Sequence, residues 1–233
     1  RDDHVRGTQR AGSHGASHGA EGIPVGIELS EGGRVPCRQD VQIGGRWRAR
    51  TGWKVVLDEC GQGVRGDHQP AAAIVAPSAD LDLAVKLVVQ GGFSLSGQAC
   101  TGTSRVLVHR QVKEEFTRRL VEKVSALTVG NGLNGNPDLG PIATESQLES
   151  ILEYVAIGKQ EATHLLGGER LTEGDYARGL FMRPALFTDV TQQMRIAREE
   201  IFGPVIALLE IDSYEQALVM ANDTEYGLSA AIV

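Results

Sequence analysis

The chain has 233 residues, of which 41% are hydrophobic and 23% charged, with a formal net charge of −7. That composition suits a soluble globular protein with one good core, or one domain plus part of another. The acidic balance argues against nucleic acid or an anionic membrane as partner, and no apolar run is long enough to span a bilayer. Cys37, Cys60 and Cys100 are odd in number and widely spaced, which argues against a disulfide scaffold and a zinc site. It also suits a reducing cytoplasm, and the N-terminus lacks the apolar core of a secretory signal.

Residues 1–70 read differently from the rest. They hold 14 of the 29 glycines, and eight arginines precede the first lysine, Lys54. "RGTQRAGSHGASHGAEG" has neither a helical nor a strand period, so it reads as disordered or poorly packed. The Arg-rich, Lys-poor composition also reads as a GC-rich gene translated partly out of frame, an idea that sequencing the coding DNA tests. Within it "WKVVLDE" has the character of a strand. His14 and His18 stand four apart, but Gly15 and Gly19 disfavour the helix that a metal pair would need. "RWRARTGWK" mixes arginine with tryptophan yet has no companion nucleic-acid motif.

From residue 71 the patterning is clean. "AAAIVAP" predicts a buried strand ended by Pro77. After Ser78, "ADLDLAVKLVVQGG" predicts a helix with acids in its first turn and Gly91-Gly92 at its end. "SRVLVH" (104–109) is a strand, and Val112, Phe116, Leu120, Val124 and Leu127 lie along one helical face. "NGLNGNPDLGP" is a loop. Leu148, Ile151, Leu152 and Val155 mark another helix. "THLLGG" has strand character, "FMRPALFTDV" is extended around Pro184, and "PVIALLEI" (204–211) is a strong strand. Ser213 and Gln216 are spaced as a capping box for the helix "SYEQALVMAN". Alternating strands and helices predict the α/β class with a mostly parallel sheet.

The chemistry centres on "GGFSLSGQACTGTSR" (91–105). Cys100 falls in a short loop between a helix and a strand, where reactive groups are commonly carried on a rigid scaffold. Gly97 and Gly102 leave room for a small electrophile. The competing reading is a small buried hydrophobe, because free cysteine is among the most buried residues.

"GQACTGTSRVLVH" resembles the active-site segment of aldehyde dehydrogenases. "IVAPSADLDLAV", "LGPIATESQLESILEYVAIG", "AREEIFGPVIALLEI" and "ANDTEYGLSAAIV" resemble further family segments in the family's order, covering about residues 71–233. The resemblance implies the aldehyde dehydrogenase catalytic domain, with residues 1–70 an atypical remnant of an incomplete Rossmann-type cofactor domain. It implies Cys100 as nucleophile, forming a thiohemiacetal and then a thioester, with NAD or NADP as oxidant. It implies that Glu200 binds the nicotinamide ribose through its diol and that Phe202 packs near the nicotinamide. The substrate is expected to be a small aldehyde, with a semialdehyde of a short acid suggested by the form of the motifs. Such a substrate's carboxylate needs a cation, for which Arg105 and Arg110 are the unplaced candidates. The complete enzyme is expected to be a homo-oligomer, without metal, nucleic acid or membrane partner.

The resemblance fails in places. At the family's spacing the general-base glutamate falls on Gly66, and the nearest acid in a similar context is Glu59, with Asp58 beside it. No Pro-Trp-Asn motif and no Phe-Thr-Gly-Ser turn occur, and the sequence stops at Val233 within an expected strand. Two rival expectations follow: a thiol esterase acting through Cys100 without dinucleotide, and an incomplete paralogue that assembles with a full-length subunit. Cys37, Cys60, His109 and His164 read as bystanders.

Overall fold

The computed structural model describes residues 71–224 and 229–233. The predicted features of residues 1–70, including Glu59, Asp58, His14, His18, Cys37 and Cys60, lie outside the described residues.

Among the described residues eight strands and five α-helices follow one another: β1 (Ala71–Val75), α1 (Leu81–Phe93), β2 (Thr103–His109), α2 (Arg110–Ser125), α3 (Glu145–Glu161), β3 (Thr163–Leu166), β4 (Arg170–Leu171), β5 (Phe181–Met182), β6 (Ala185–Val190), α4 (Arg195–Arg198), β7 (Val205–Ile211), α5 (Tyr214–Asn222) and β8 (Ala230–Ile232). Six strands form one sheet in the order β3-β6-β7-β2-β1-β8, and β4 pairs with β5 in a separate ribbon. All pairings in the large sheet are parallel except β3 with β6, so the expected mostly parallel sheet has one antiparallel edge.

The central strands carry apolar runs, Val106 to Val108 in β2 and Val205 to Leu209 in β7, because helices cover both faces. On one face Ala73, Val75, Val106, Val108, Ile206 and Leu208 pack with Val88 of α1 and with Phe116 and Leu120 of α2. On the other, Ile74, Leu107, Ala207 and Leu209 pack with Leu148, Ile151 and Val155 of α3 and Ala217 of α5. Strand parity thus sorts side chains cleanly between two cores.

Helix α1 starts at Leu81, two residues later than the sequence reading, with Asp80 as its cap, accepting hydrogen bonds from the backbone N–H of Asp82 and Leu83. Gly91 and Gly92 lie in its last turn, as expected, and the helix ends at Phe93. They also allow close packing: a Cβ on Gly92 would lie 2.9 Å from Ile206 Cγ1 and from the Thr103 carbonyl oxygen. At α5 Ser213 accepts from Gln216 N as the capping box predicts, but the Gln216 side chain accepts from Asp212 N rather than closing on the cap residue.

Candidate active site

β2 and β7 are parallel neighbours, with Arg105 opposite Ala207. The loop holding Cys100 enters β2 and the loop holding Glu200 and Phe202 enters β7, so the topology brings both to the amino edge of the sheet.

After α1 the backbone turns through three successive left-handed residues, Leu95 (φ 53°), Ser96 (φ 57°) and Gly97 (φ 69°). Such a conformation costs a non-glycine residue about 1–2 kcal/mol. Side-chain hydrogen bonds to residues 140–143 hold it in place. Ser96 Oγ donates to the Gly140 carbonyl at 3.0 Å. Gln98 Nε2 donates to the carbonyls of Leu95 and Pro141, and Gln98 Oε1 accepts from Ala143 N at 2.9 Å. Ala99 to Gly102 then form a tight turn, closed by Gly102 N donating to the Ala99 carbonyl at 2.9 Å. Cys100 occupies the first corner of that turn and is exposed. The exposure removes the reading of Cys100 as a buried hydrophobe. Ser229 Oγ donates to the Thr101 carbonyl at 3.4 Å, tying the entry to β8 to the same turn.

The Glu200 loop is braced from α3. Phe202 is also left-handed (φ 50°). Gln147 Nε2 donates to the carbonyls of Ile201 and Phe202 at 3.0 and 3.2 Å. Tyr154 OH donates to Glu199 Oε2 at 2.8 Å, and Arg195 Nε and Nη2 donate to the two Glu199 oxygens at 2.8 Å each. The Arg195 guanidinium, bonded to both oxygens, holds Glu199 below the usual carboxylate range against the opposing pull of burial, and Tyr154 adds to the depression. Burial in turn pushes the Tyr154 phenol up, and donation to Glu199 reinforces this.

The two loops face one shallow, solvent-open cleft with an interior volume of only about 20 Å³, lined by Gly97, Ala99, Gly102 and Ser104 from one side and by Glu200, Phe202 and Gly203 from the other. Ser104 Oγ, in this lining, is buried without a hydrogen-bond partner. Glu200 and the orphaned Ser104 hydroxyl are polar groups, and Phe202 an aromatic ring, of the kind that suit a nicotinamide ribose, while Gly97 and Gly203 let the two loops close on each other.

Of the residues singled out in the sequence, Cys100, Glu200 and Phe202 therefore belong to loops that meet. Arg105 and Arg110 are held elsewhere. Arg105 is 1% exposed and donates to the carbonyls of Met220 and Ala221 at the end of α5. Arg110 pairs with Asp212 at the carboxyl edge of β7. His109 caps α2, accepting from Gln111 N, and His164 packs its ring on Phe187. Sequence reasoning passed over Gln98, Gln147, Tyr154 and Arg195. Only Gln98, two residues before the cysteine, carried a local signal. Among the described residues no helix is long and apolar enough to cross a membrane, and no group of three or more His, Cys, Asp or Glu is placed to hold a metal.

Residues 70–233 match the sequence model of the aldehyde dehydrogenase family. The chain is 48% identical over 160 residues to alpha-ketoglutaric semialdehyde dehydrogenase of Bacillus subtilis (strain 168), covering 68% of this chain and 33% of that protein. Among solved structures it resembles 1-pyrroline-5-carboxylate dehydrogenase from Thermus with bound NAD, with TM-score 0.67 and 39% identity, covering 71% of this chain and 31% of that one. It also resembles betaine aldehyde dehydrogenase of Staphylococcus aureus in complex with NAD+, with TM-score 0.69 and 34% identity, covering 71% and 33%. The chain thus spans about a third of the length of these relatives.

Proposed function

The chain belongs to the aldehyde dehydrogenase family, and from that premise we propose that it oxidises a small aldehyde to its carboxylic acid with NAD or NADP, through a covalent adduct on Cys100. The observation that carries this reading is the meeting of the two loops: the exposed Cys100 turn and the Glu200–Phe202 loop wall the same cleft.

The Cys100 thiolate adds to the aldehyde carbonyl carbon, forming a C–S bond while the carbonyl electron pair moves to oxygen. Backbone N–H groups of the turn stabilise that oxyanion, as preorganised donors do. When bound, NAD or NADP would supply the two-electron acceptor for the hydride lost from the adduct carbon as its carbonyl re-forms into a thioester, and Glu200 would hold its ribose while Phe202 would pack beside its nicotinamide. Water then attacks the thioester carbonyl, the C–S bond breaks, and Cys100 leaves as thiolate with release of the acid. Glu59 is proposed as the base that activates this water. A reducing cytoplasm would keep Cys100 as a thiol. The Bacillus subtilis relative is named for a semialdehyde, which supports a short semialdehyde as substrate. Homo-oligomerisation is proposed as for the complete enzyme.

The test is reduced-nicotinamide absorbance on mixing the protein with a panel of short aldehydes, with NAD and with NADP, beside a Cys100→Ala control. Production that vanishes in the control is expected. Ester turnover through Cys100 with no aldehyde oxidation would favour the thiol esterase. No turnover by folded protein, together with co-purification with an intact homologue, would favour the assembling paralogue.

A further inference from the structure

α3 runs beside the Glu200 loop and grips it at two points. Gln147 and Tyr154 are seven residues apart, two helical turns, and so share one face, separated by about 10 Å along the axis. Tyr154 holds the Glu199 side chain, and Gln147 holds the backbone at Ile201 and Phe202. An extended chain advances about 3.3 Å per residue, so the stretch from Glu199 to Phe202 matches the span between the two anchors. Glu200 is the residue between them. Glu199 is also clamped from α4 by Arg195, whose guanidinium lies 5.5 Å from the Tyr154 ring centroid. Arg195 N in addition donates to Glu161 Oε2 near the end of α3. Tyr154, Arg195 and Glu199 thus form a closed unit in which ring face, phenol, guanidinium and carboxylate each satisfy another.

We propose that Tyr154 is a positioning residue for cofactor binding: by fixing Glu199 it sets where the neighbouring Glu200 carboxylate meets the nicotinamide ribose. Tyr154 touches no cofactor itself. It acts through the backbone between Glu199 and Glu200, with the stacked Arg195 keeping the phenol in place. The proposal rests on the reading of Glu200 as the ribose ligand.

Tyr154→Phe removes the hydroxyl and leaves the ring that packs under Arg195. Loosening Glu199 in this way is expected to raise the dissociation constant for NAD about three- to tenfold, a fraction of the roughly ten- to hundredfold that a direct hydrogen bond to a charged group is worth. Nicotinamide mononucleotide, which carries the same ribose, is expected to weaken by the same factor, while the rate of Cys100 alkylation by iodoacetamide stays at the wild-type value and the thermal midpoint falls by only a few degrees, as loss of one partly exposed hydrogen bond predicts. Glu200→Gln separates the layers. If it weakens NAD and Tyr154→Phe does not, the positioning role is overturned and the ribose reading stands. If Glu200→Gln leaves NAD binding unchanged, or the wild-type chain binds no NAD, the ribose reading falls and takes the proposal with it. A Tyr154→Phe protein that loses NAD affinity only in step with its thermal midpoint and an altered alkylation rate would show a merely structural role and would overturn the proposal.

Discussion

Gly97 and Gly203 meet backbone against backbone, and through them the nucleophile loop and the Glu200 loop become one surface. A Cβ on Gly97 would collide with the Gly203 carbonyl and lie 2.7 Å from Pro204 N, and the residue is already left-handed at φ 69°. Gly203 in turn has room only for hydrogen against Ile151 of α3, where a Cβ would fall 2.5 Å from Cδ1.

Gly97→Ala therefore combines a backbone clash with an unfavourable φ. A loss of about 2–4 kcal/mol in urea unfolding is expected, larger than the ordinary surface substitution. Gly132→Ala is the control, because nothing lies within 4 Å of a Cβ there. It should change stability by no more than about 0.5 kcal/mol. Equal effects at the two positions would show that the loops do not meet as described.

Cys100→Ala is expected to abolish aldehyde oxidation while leaving stability within about 0.5 kcal/mol of wild type, because an exposed side chain at a turn corner contributes little packing. A large drop in the urea midpoint would contradict the exposed placement.

Gln98 makes the most local of the contacts that hold this turn. Gln98→Ala removes an acceptor for Ala143 N and donors to two carbonyls. It is expected to cost about 1–2 kcal/mol and to alter the alkylation rate of Cys100. Gln98→Glu keeps the acceptor but sets a carboxylate against the carbonyls of Leu95 and Pro141, so it should be no better than alanine at neutral pH. Recovery by Gln98→Glu would mean that the Ala143 contact alone positions the turn.

How much of this was visible in the sequence follows from how local each cause is. The strand and helix order was legible because Val106, Leu107 and Val108 are apolar on both faces of β2 and Leu148, Ile151 and Val155 repeat at helical spacing. The Gly91-Gly92 pair marked the end of α1 to within one residue, whereas its second role, close packing on Ile206, is tertiary and has no local signal. The left-handed turn at Leu95 and Ser96 has no sequence signal, since the conformation is held by Gly140, Pro141 and Ala143, some 45 residues on. Tyr154 and Glu199 are likewise 45 residues apart. The loops holding Cys100 and Glu200 stand out by their motifs, whereas the residues that place those loops belong to the fold.

The Glu199 clamp gives a pH signature. Its carboxyl titrates lower in the folded chain than the unfolded value of about 4.3. Its contribution to stability is therefore fully present above about pH 4.3 and is lost as pH falls through the lower folded value. Glu199→Gln should flatten that limb of the stability profile. The Arg195 and Glu199 side chains are 49% and 40% exposed, so solvent screening keeps the effect below about 1 kcal/mol. An unchanged acid limb in Glu199→Gln would place the acid sensitivity in other carboxylates, such as Asp138 or Asp189, which are also depressed.

Arg105 separates stability from substrate recognition. On β2 it shares a face with Leu107, and its guanidinium donates to the last carbonyls of α5, with Gln192 Nε2 donating to Met220 O as well. Burial, with Arg198 nearby, pulls its pKa below the usual guanidinium range while Asp223 opposes, yet the group stays charged at neutral pH. Arg105→Ala strips donors from the Met220 and Ala221 carbonyls and opens a cavity, with an expected loss of about 2–4 kcal/mol. Arg105→Lys should recover only part, because an ammonium cannot reproduce the planar fork. Arg110→Ala breaks a pair whose side chains are 63% and 62% exposed, and should leave both stability and the KM for a carboxylate-bearing aldehyde unchanged. A raised KM in Arg110→Ala, with kcat and stability intact, would restore Arg110 as the cation for the substrate carboxylate. With neither arginine in that role, short aldehydes with and without a carboxylate should respond alike to both substitutions.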